Sequence, residues 1–129
     1  MISLLLAVLL AVAPPSGYHD KVKATWYGST SGYKTHCYQG YKNTCNPYLK
    51  GEKVMYAAVP GFRNYRTEPY PARVCSEVAC VIVIVRDCLC SRKGSNYIDL
   101  SPAAFIALGS RLSRGAIWVS VDYEPYGGR

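Results

Sequence analysis

Val81-Ile82-Val83-Ile84-Val85 is a run of five apolar β-branched residues, and it constrains the chain more than any other segment. Branching at Cβ stiffens the side chain, disfavours helix and suits a pleated sheet. An unbroken apolar run of this length predicts a strand buried on both faces, as in a closed barrel or a sandwich core. Other strand signals surround it. Lys23 to Tyr27 is short and rich in β-formers, and Val54 to Val59 is closed by Pro60-Gly61. Arg73-Val74-Cys75 and Cys80 to Val85 bracket a turn. In Ala116 to Tyr123, Ile117, Val119, Val121 and Tyr123 point one way while Trp118, Ser120 and Asp122 point the other. One helix is written clearly: Ser101 suits the N-cap, Pro102 the first helical position, and Gly109 the stop. Many short strands with one short helix predict a mainly β fold, a small barrel. At 129 residues the chain has room for one domain, which excludes a multidomain enzyme or a dinucleotide-binding domain of ordinary size.

The first residues set an expected compartment. Ile2 to Val12 is apolar but too short to span a bilayer, which takes about 20 residues. It ends in Ala11-Val12-Ala13, an A-x-A cleavage pattern, and Pro14-Pro15-Ser16-Gly17 follows as a breaker. The expectation is a secretory signal peptide over 1–13, a spacer over 14–22, a barrel domain over 23–123 and a tail over 124–129. His19 lies in the expected spacer and is expected to be disordered. The protein is then extracellular or associated with a cell wall. It needs no cofactor, makes no stable membrane insertion and is expected to be a monomer.

Export makes the cysteines readable. Six of them, Cys37, Cys45, Cys75, Cys80, Cys88 and Cys90, form an even set in a small chain and read as disulfides. Cys75 and Cys80 flank a hairpin loop and are placed to face each other. Cys37 and Cys45 are able to staple the long polar stretch from Gly28 to Lys53. Cys88 and Cys90 look too close to pair with each other. A zinc site on Cys75, Cys80, Cys88 and Cys90 is the rival reading, and the C-x-C spacing is poor for it.

Only eight residues are acidic, so their positions carry information. Asp87 directly follows the apolar strand, and Asp99 directly precedes the helix cap in Ile98-Asp99-Leu100-Ser101. A strand, a loop and a returning segment bring both carboxylates to one rim of a barrel. Paired carboxylates are what glycan cleavage requires, one as acid and one as base or nucleophile. Asp87, beside Val85, is the expected acid. The plain alternative has Asp99 favouring the helix N-terminus and Asp87 pairing with Arg86 or Arg92 at the surface.

These residues, in this order, resemble one superfamily. Thr25-Trp26-Tyr27-Gly28 looks like the T-W-Y-G opening of expansins and of the rare lipoprotein A family, and Ala57-Ala58 matches their central A-A. Val81 to Cys88, then Ile98-Asp99-Leu100-Ser101, then Ala104-Phe105 and Leu108, is similar to their V-x-V-x-D-x-C and x-D-L-S-x-x-A-F-x-x-L segments. Gly115 and Ile117 to Val121 look like the closing strand. The resemblance implies a six-stranded double-psi β-barrel of the barwin-like superfamily that acts on cell-wall polysaccharide. It implies Asp87 and Asp99 as the catalytic or critical acids. Thr25, Trp26 and Tyr27 suit the lining of a sugar groove, by stacking on ring faces and hydrogen-bonding hydroxyls, with Trp26 filling the barrel core as the equal alternative. Wall loosening without hydrolysis is the expansin role. A lytic transglycosylase or glycosidase using the two aspartates, and a non-catalytic barwin-like effector, are the alternatives. The transglycosylase members carry T-A-N-G-E and A-A-H, whereas Pro47-Tyr48 follow Thr44-Cys45-Asn46 here and Val59 follows Ala57-Ala58.

The charge points to partners. Fifteen basic residues against eight acidic ones give +7, which favours anionic surfaces such as teichoic acids, peptidoglycan carboxylates or pectins over neutral ones. Nucleic acid is not the expected partner, because export argues against it. His36, in a polar loop, is expected to be solvated, and Met55 and Phe105 are expected in the core.

Overall fold

The computed structural model describes residues 14–27, 55–63 and 67–127. The expected signal peptide, His36, Cys37 and Cys45 lie outside the described residues. Six strands appear in chain order: β1 (Tyr18–Trp26), β2 (Tyr56–Val59), β3 (Tyr70–Cys75), β4 (Cys80–Cys88), β5 (Tyr97–Leu100) and β6 (Ile117–Asp122). A short helix α1 (Pro102–Ala107) and a 3-10 turn (Leu112–Arg114) lie between β5 and β6.

The strands close into a barrel in the order β1-β5-β2-β4-β3-β6. Two pairings are parallel, β1 with β5 and β2 with β4, and the other four are antiparallel. The mainly β, disulfide-linked barrel expected from the sequence is therefore present. Closure leaves no free sheet edge, which removes the usual route to edge-to-edge pairing.

The inside is filled by one residue in two from each strand: Val22 and Ala24, Ala57 and Val59, Ala72 and Val74, Val83 and Val85, Ile98 and Leu100, and Ile117, Val119 and Val121. Phe105, Ala104 and Leu108 of the α1 region join the same cluster. α1 begins as written, with the Ser101 hydroxyl accepting from the Ala104 amide at 3.4 Å and Pro102 at the first position. The same hydroxyl accepts from the Tyr56 amide at 3.1 Å, so one buried serine caps the helix and anchors β2. The helix stops at Gly109, whose φ of +87° suits glycine.

Three expectations need correction. The run Val81 to Val85 is not buried on both faces: Val83 and Val85 are buried, Ile84 is exposed and Val81 and Ile82 are intermediate. A barrel closed on itself has one inner face, so alternate residues of β4 point away from the core. β1 starts at Tyr18, so the expected spacer over 14–22 already contains strand. Its polar start is held by pairing with β6, Tyr18 opposite Asp122 and His19 opposite Val121. His19 is ordered, with its ring nitrogen 2.7 Å from the Ser16 carbonyl and its ring edge-on to Tyr123.

The cysteines supply the third correction. Cys75 and Cys80 are bonded across the β3–β4 hairpin, as expected. Cys88 and Cys90 are also bonded to each other, with Cα atoms 5.1 Å apart. β4 ends at Cys88, and the turn that follows folds Cys90 back onto it, so one intervening residue suffices. All four cysteines are thus oxidised, which removes the zinc reading.

Candidate functional site

The strand register builds the site. Thr25 of β1 lies opposite Asp99 of β5, Asp99 lies opposite Ala58 of β2, and Ala58 lies opposite Asp87 of β4. Residues directly opposite each other on adjacent strands project to the same face. These four therefore form one row across four strands. The row is on the outside, because the alternating neighbours Ala24, Ile98, Leu100, Ala57 and Val85 fill the core. Two strand spacings, about 10 Å between backbones, separate the two aspartates, with only the Ala58 methyl between them.

A bulge sets the direction of Asp87. The β2–β4 register shifts between Ala57 and Ala58, so Arg86 and Asp87 together oppose Ala58. Both side chains are then tucked into the outer face: Arg86 is 5 % exposed and Asp87 2 %. The Arg86 guanidinium lies 3.9 Å over the centre of the Tyr56 ring. Tyr56 meets Tyr27 edge-on, with ring centres 5.5 Å apart. Tyr27, Tyr56 and Ala58, with Leu89 against them, form a small apolar cluster separate from the barrel core. The Asp87 carboxylate accepts from the Cys88 amide at 2.8 Å, so the residue that closes the Cys88–Cys90 bond also orients this acid.

Asp99 has different surroundings. It is half-buried, and the Thr25 hydroxyl donates to its carboxylate at 2.8 Å. Burial pushes its pKa up from 3.8 to about 6; the Thr25 hydrogen bond opposes the rise, and the charge of Asp87 adds to it. Burial also pushes the Tyr27 phenol well above its ordinary range, and the charges of Asp87, Tyr56 and Asp99 push the same way while Arg86 opposes them. Asp99 is thus an acid with its pKa raised into the weakly acidic range.

Of the residues expected to line a sugar groove, Thr25 and Tyr27 join the row and its cluster. Trp26 does not. Its register partner is Leu100, it packs against the barrel core, and its indole nitrogen donates to the Leu112 carbonyl at 2.8 Å. Arg86 and Tyr56 were missed as site residues. The apolar run before Arg86 masked the bulge that turns it, and Tyr56 sits in a strand whose outward face cannot be told from a four-residue sequence. Among the described residues no group of three His, Cys, Asp or Glu is placed to hold a metal ion, and no helix is long and apolar enough to cross a membrane.

The closed six-stranded barrel is a double-psi-like fold of a small β domain. Among solved structures the chain is similar to a Streptomyces papain inhibitor, at 23 % identity and a TM-score of 0.59, covering 85 % of this chain and 96 % of that one. That likeness is one of fold. No family model matches the chain, and no curated protein matches it.

Proposed function

We propose that the protein is exported and binds cell-wall glycan strands across the row Thr25–Asp99–Ala58–Asp87, in the manner of an expansin barrel. The observation that carries this reading is the register that sets two aspartates on one outward face with a methyl between them. Asp99, with a pKa near 6, supplies a hydrogen-bond partner for sugar hydroxyls and a proton. The buried Asp87, fixed by the Cys88 amide and close to Arg86 and Tyr27, suits a role of holding charge. The half-buried Asp99 suits contact with a ligand. The sequence resemblance to expansins and rare lipoprotein A proteins supports the same assignment.

The test is capture of the full chain on insoluble peptidoglycan, cellulose and chitin, with Asp99→Ala beside the wild type. Retention of the wild type on one of them and about tenfold loss in the variant, on the order of 1.4 kcal/mol, is the expected result. No retention on any polymer at low salt overturns the reading. Mass spectrometry of the incubated glycan decides between binding and cleavage: new reducing ends or anhydro-sugars that vanish in Asp87→Asn and Asp99→Asn identify an enzyme.

A second reading has its own support. The structural neighbour is named as a papain inhibitor, so a protein partner on the same scaffold is the alternative. Inhibition of papain by this chain that survives both aspartate substitutions would favour it.

A further inference from the structure

We infer that the outer face of β6, β1 and β5 carries a second surface, built by Trp118, Lys23, Tyr97 and Arg92, that docks a carboxylated polysaccharide. It lies beside the acid row and stands independently of the function proposed for that row. Lys23 is the centre: its partner on β6 is Trp118 and its partner on β5 is Tyr97. All three point outward, because Val22, Ala24, Ile98, Ile117 and Val119 between them are buried in the core. The Trp118 side chain is 67 % exposed. An indole held by a strand in the middle of a sheet is a rigid, flat platform on which the C–H face of a sugar ring packs.

The cations are placed to complete such a site. The Arg92 guanidinium sits 4.8 Å over the Tyr97 ring. A guanidinium laid against an aromatic ring keeps its N–H fork free at the edge, and that fork matches a carboxylate in two parallel hydrogen bonds. Lys23 is exposed and adds a second charge between the two rings. The row itself contains two cations and no acid, in a chain of net charge +7. Asp20, three residues before Lys23, Asp99, two residues beyond Tyr97, and Asp122, four beyond Trp118, are the acids on the same strands. Trp118 and Tyr97 stand two strand spacings apart, about 10 Å, which is the length of a disaccharide. A sugar ring stacked on Trp118 thus leaves the acid group of its neighbour within reach of Lys23 and Arg92.

The same geometry disfavours nucleic acid. Successive bases ask for successive open ring faces, and here one face of Tyr97 already holds Arg92. Trp118, 67 % exposed, is the more open ring of the row.

The experiment is calorimetric titration of the full chain with a galacturonate oligomer, its methyl-esterified neutral form and an oligothymidylate, at low and high salt. The expected result is binding of the acid oligomer that weakens at least tenfold on methyl esterification, in Trp118→Ala and in Lys23→Gln, and weakens with salt. Absence of binding, equal binding of the esterified form, wild-type affinity in both variants, or tighter binding of the oligothymidylate each overturns the inference. If Trp118→Ala lowers the melting temperature, Lys23→Gln alone decides. Capture of neutral cellulose that is insensitive to Asp99→Ala counts against the acid row and leaves this surface untouched.

Discussion

Thr25 and Lys23 are two residues apart on β1, and each belongs to a row across the outer face of the barrel. The Thr25 row carries Asp99, Ala58 and Asp87; the Lys23 row carries Trp118 and Tyr97 with Arg92. Their backbones lie only about 7 Å apart along the strand. Yet the first row is largely covered, packed around Tyr27, Tyr56 and Leu89, while the second stands in solvent. Charge means different things in the two places. In the covered row an ionised group has lost water and must be held by neighbours, so altering it changes the stability of the barrel. In the exposed row charges remain hydrated, and altering them changes encounters with other molecules.

The sharpest way to break this contrast is Asp87→Ala. It removes the acceptor of the Cys88 amide and a buried carboxylate whose charge acts on Tyr27. The expected loss is about 3 kcal/mol in chemical denaturation. A loss below about 0.5 kcal/mol, the scale of an ordinary surface change, erases the distinction between the rows.

Asp99→Asn comes next, and its sign is opposite at neutral pH. A carboxyl whose folded pKa is raised binds its proton more tightly folded than unfolded. The wild type therefore loses stability as pH climbs from about 4 through about 6, and keeps it below that window. The shift from 3.8 to about 6 amounts to at most roughly 3 kcal/mol. An amide cannot ionise, so Asp99→Asn is expected to flatten the melting temperature between pH 4 and 7 and to exceed the wild type at pH 7. A wild-type curve that rises across this window contradicts the burial of Asp99.

Thr25→Val is a smaller probe. It deletes the hydrogen bond that opposes the rise, so carboxyl NMR titration should place Asp99 above its present value of about 6. The accompanying cost is about 1 kcal/mol. The smallest effect belongs to the exposed row: Trp118→Ala and Lys23→Gln should leave stability within about 0.5 kcal/mol of wild type. A larger change means that Trp118 is structural rather than a platform.

What the sequence discloses depends on how local the cause is. The alternation in Ile117 to Asp122 is a property of one strand, and the inward and outward residues fall where the pattern puts them. Ser101, Pro102 and Gly109 mark α1 because capping is decided within a few residues. Asp87 and Asp99 were legible as candidates through their places after one strand and before the helix. Their meeting depends on β2 lying between β4 and β5, a long-range fact. The Arg86 bulge and the packing of Tyr56 were hidden for the same reason. So was the Lys23 row, since nothing near Lys23 in the chain announces that Trp118 and Tyr97 will flank it. The Cys88–Cys90 bond was hidden because the two residues look too close to pair in sequence, and the turn after β4 that lets them do so, with Cα atoms 5.1 Å apart, is not written there.

The pairing of Tyr18 with Asp122 has a practical consequence. The Tyr123 amide also donates to the Gly17 carbonyl at 2.9 Å, so the first and last strands leave the barrel side by side. Thr25, where the acid row begins, is seven residues further along β1, roughly 23 Å away at the rise of a strand. A tag, a surface linkage or a second domain fused at either Tyr18 or Tyr123 therefore emerges at one pole. The barrel can be immobilised or displayed there with the Thr25 end of β1 turned away from the attachment.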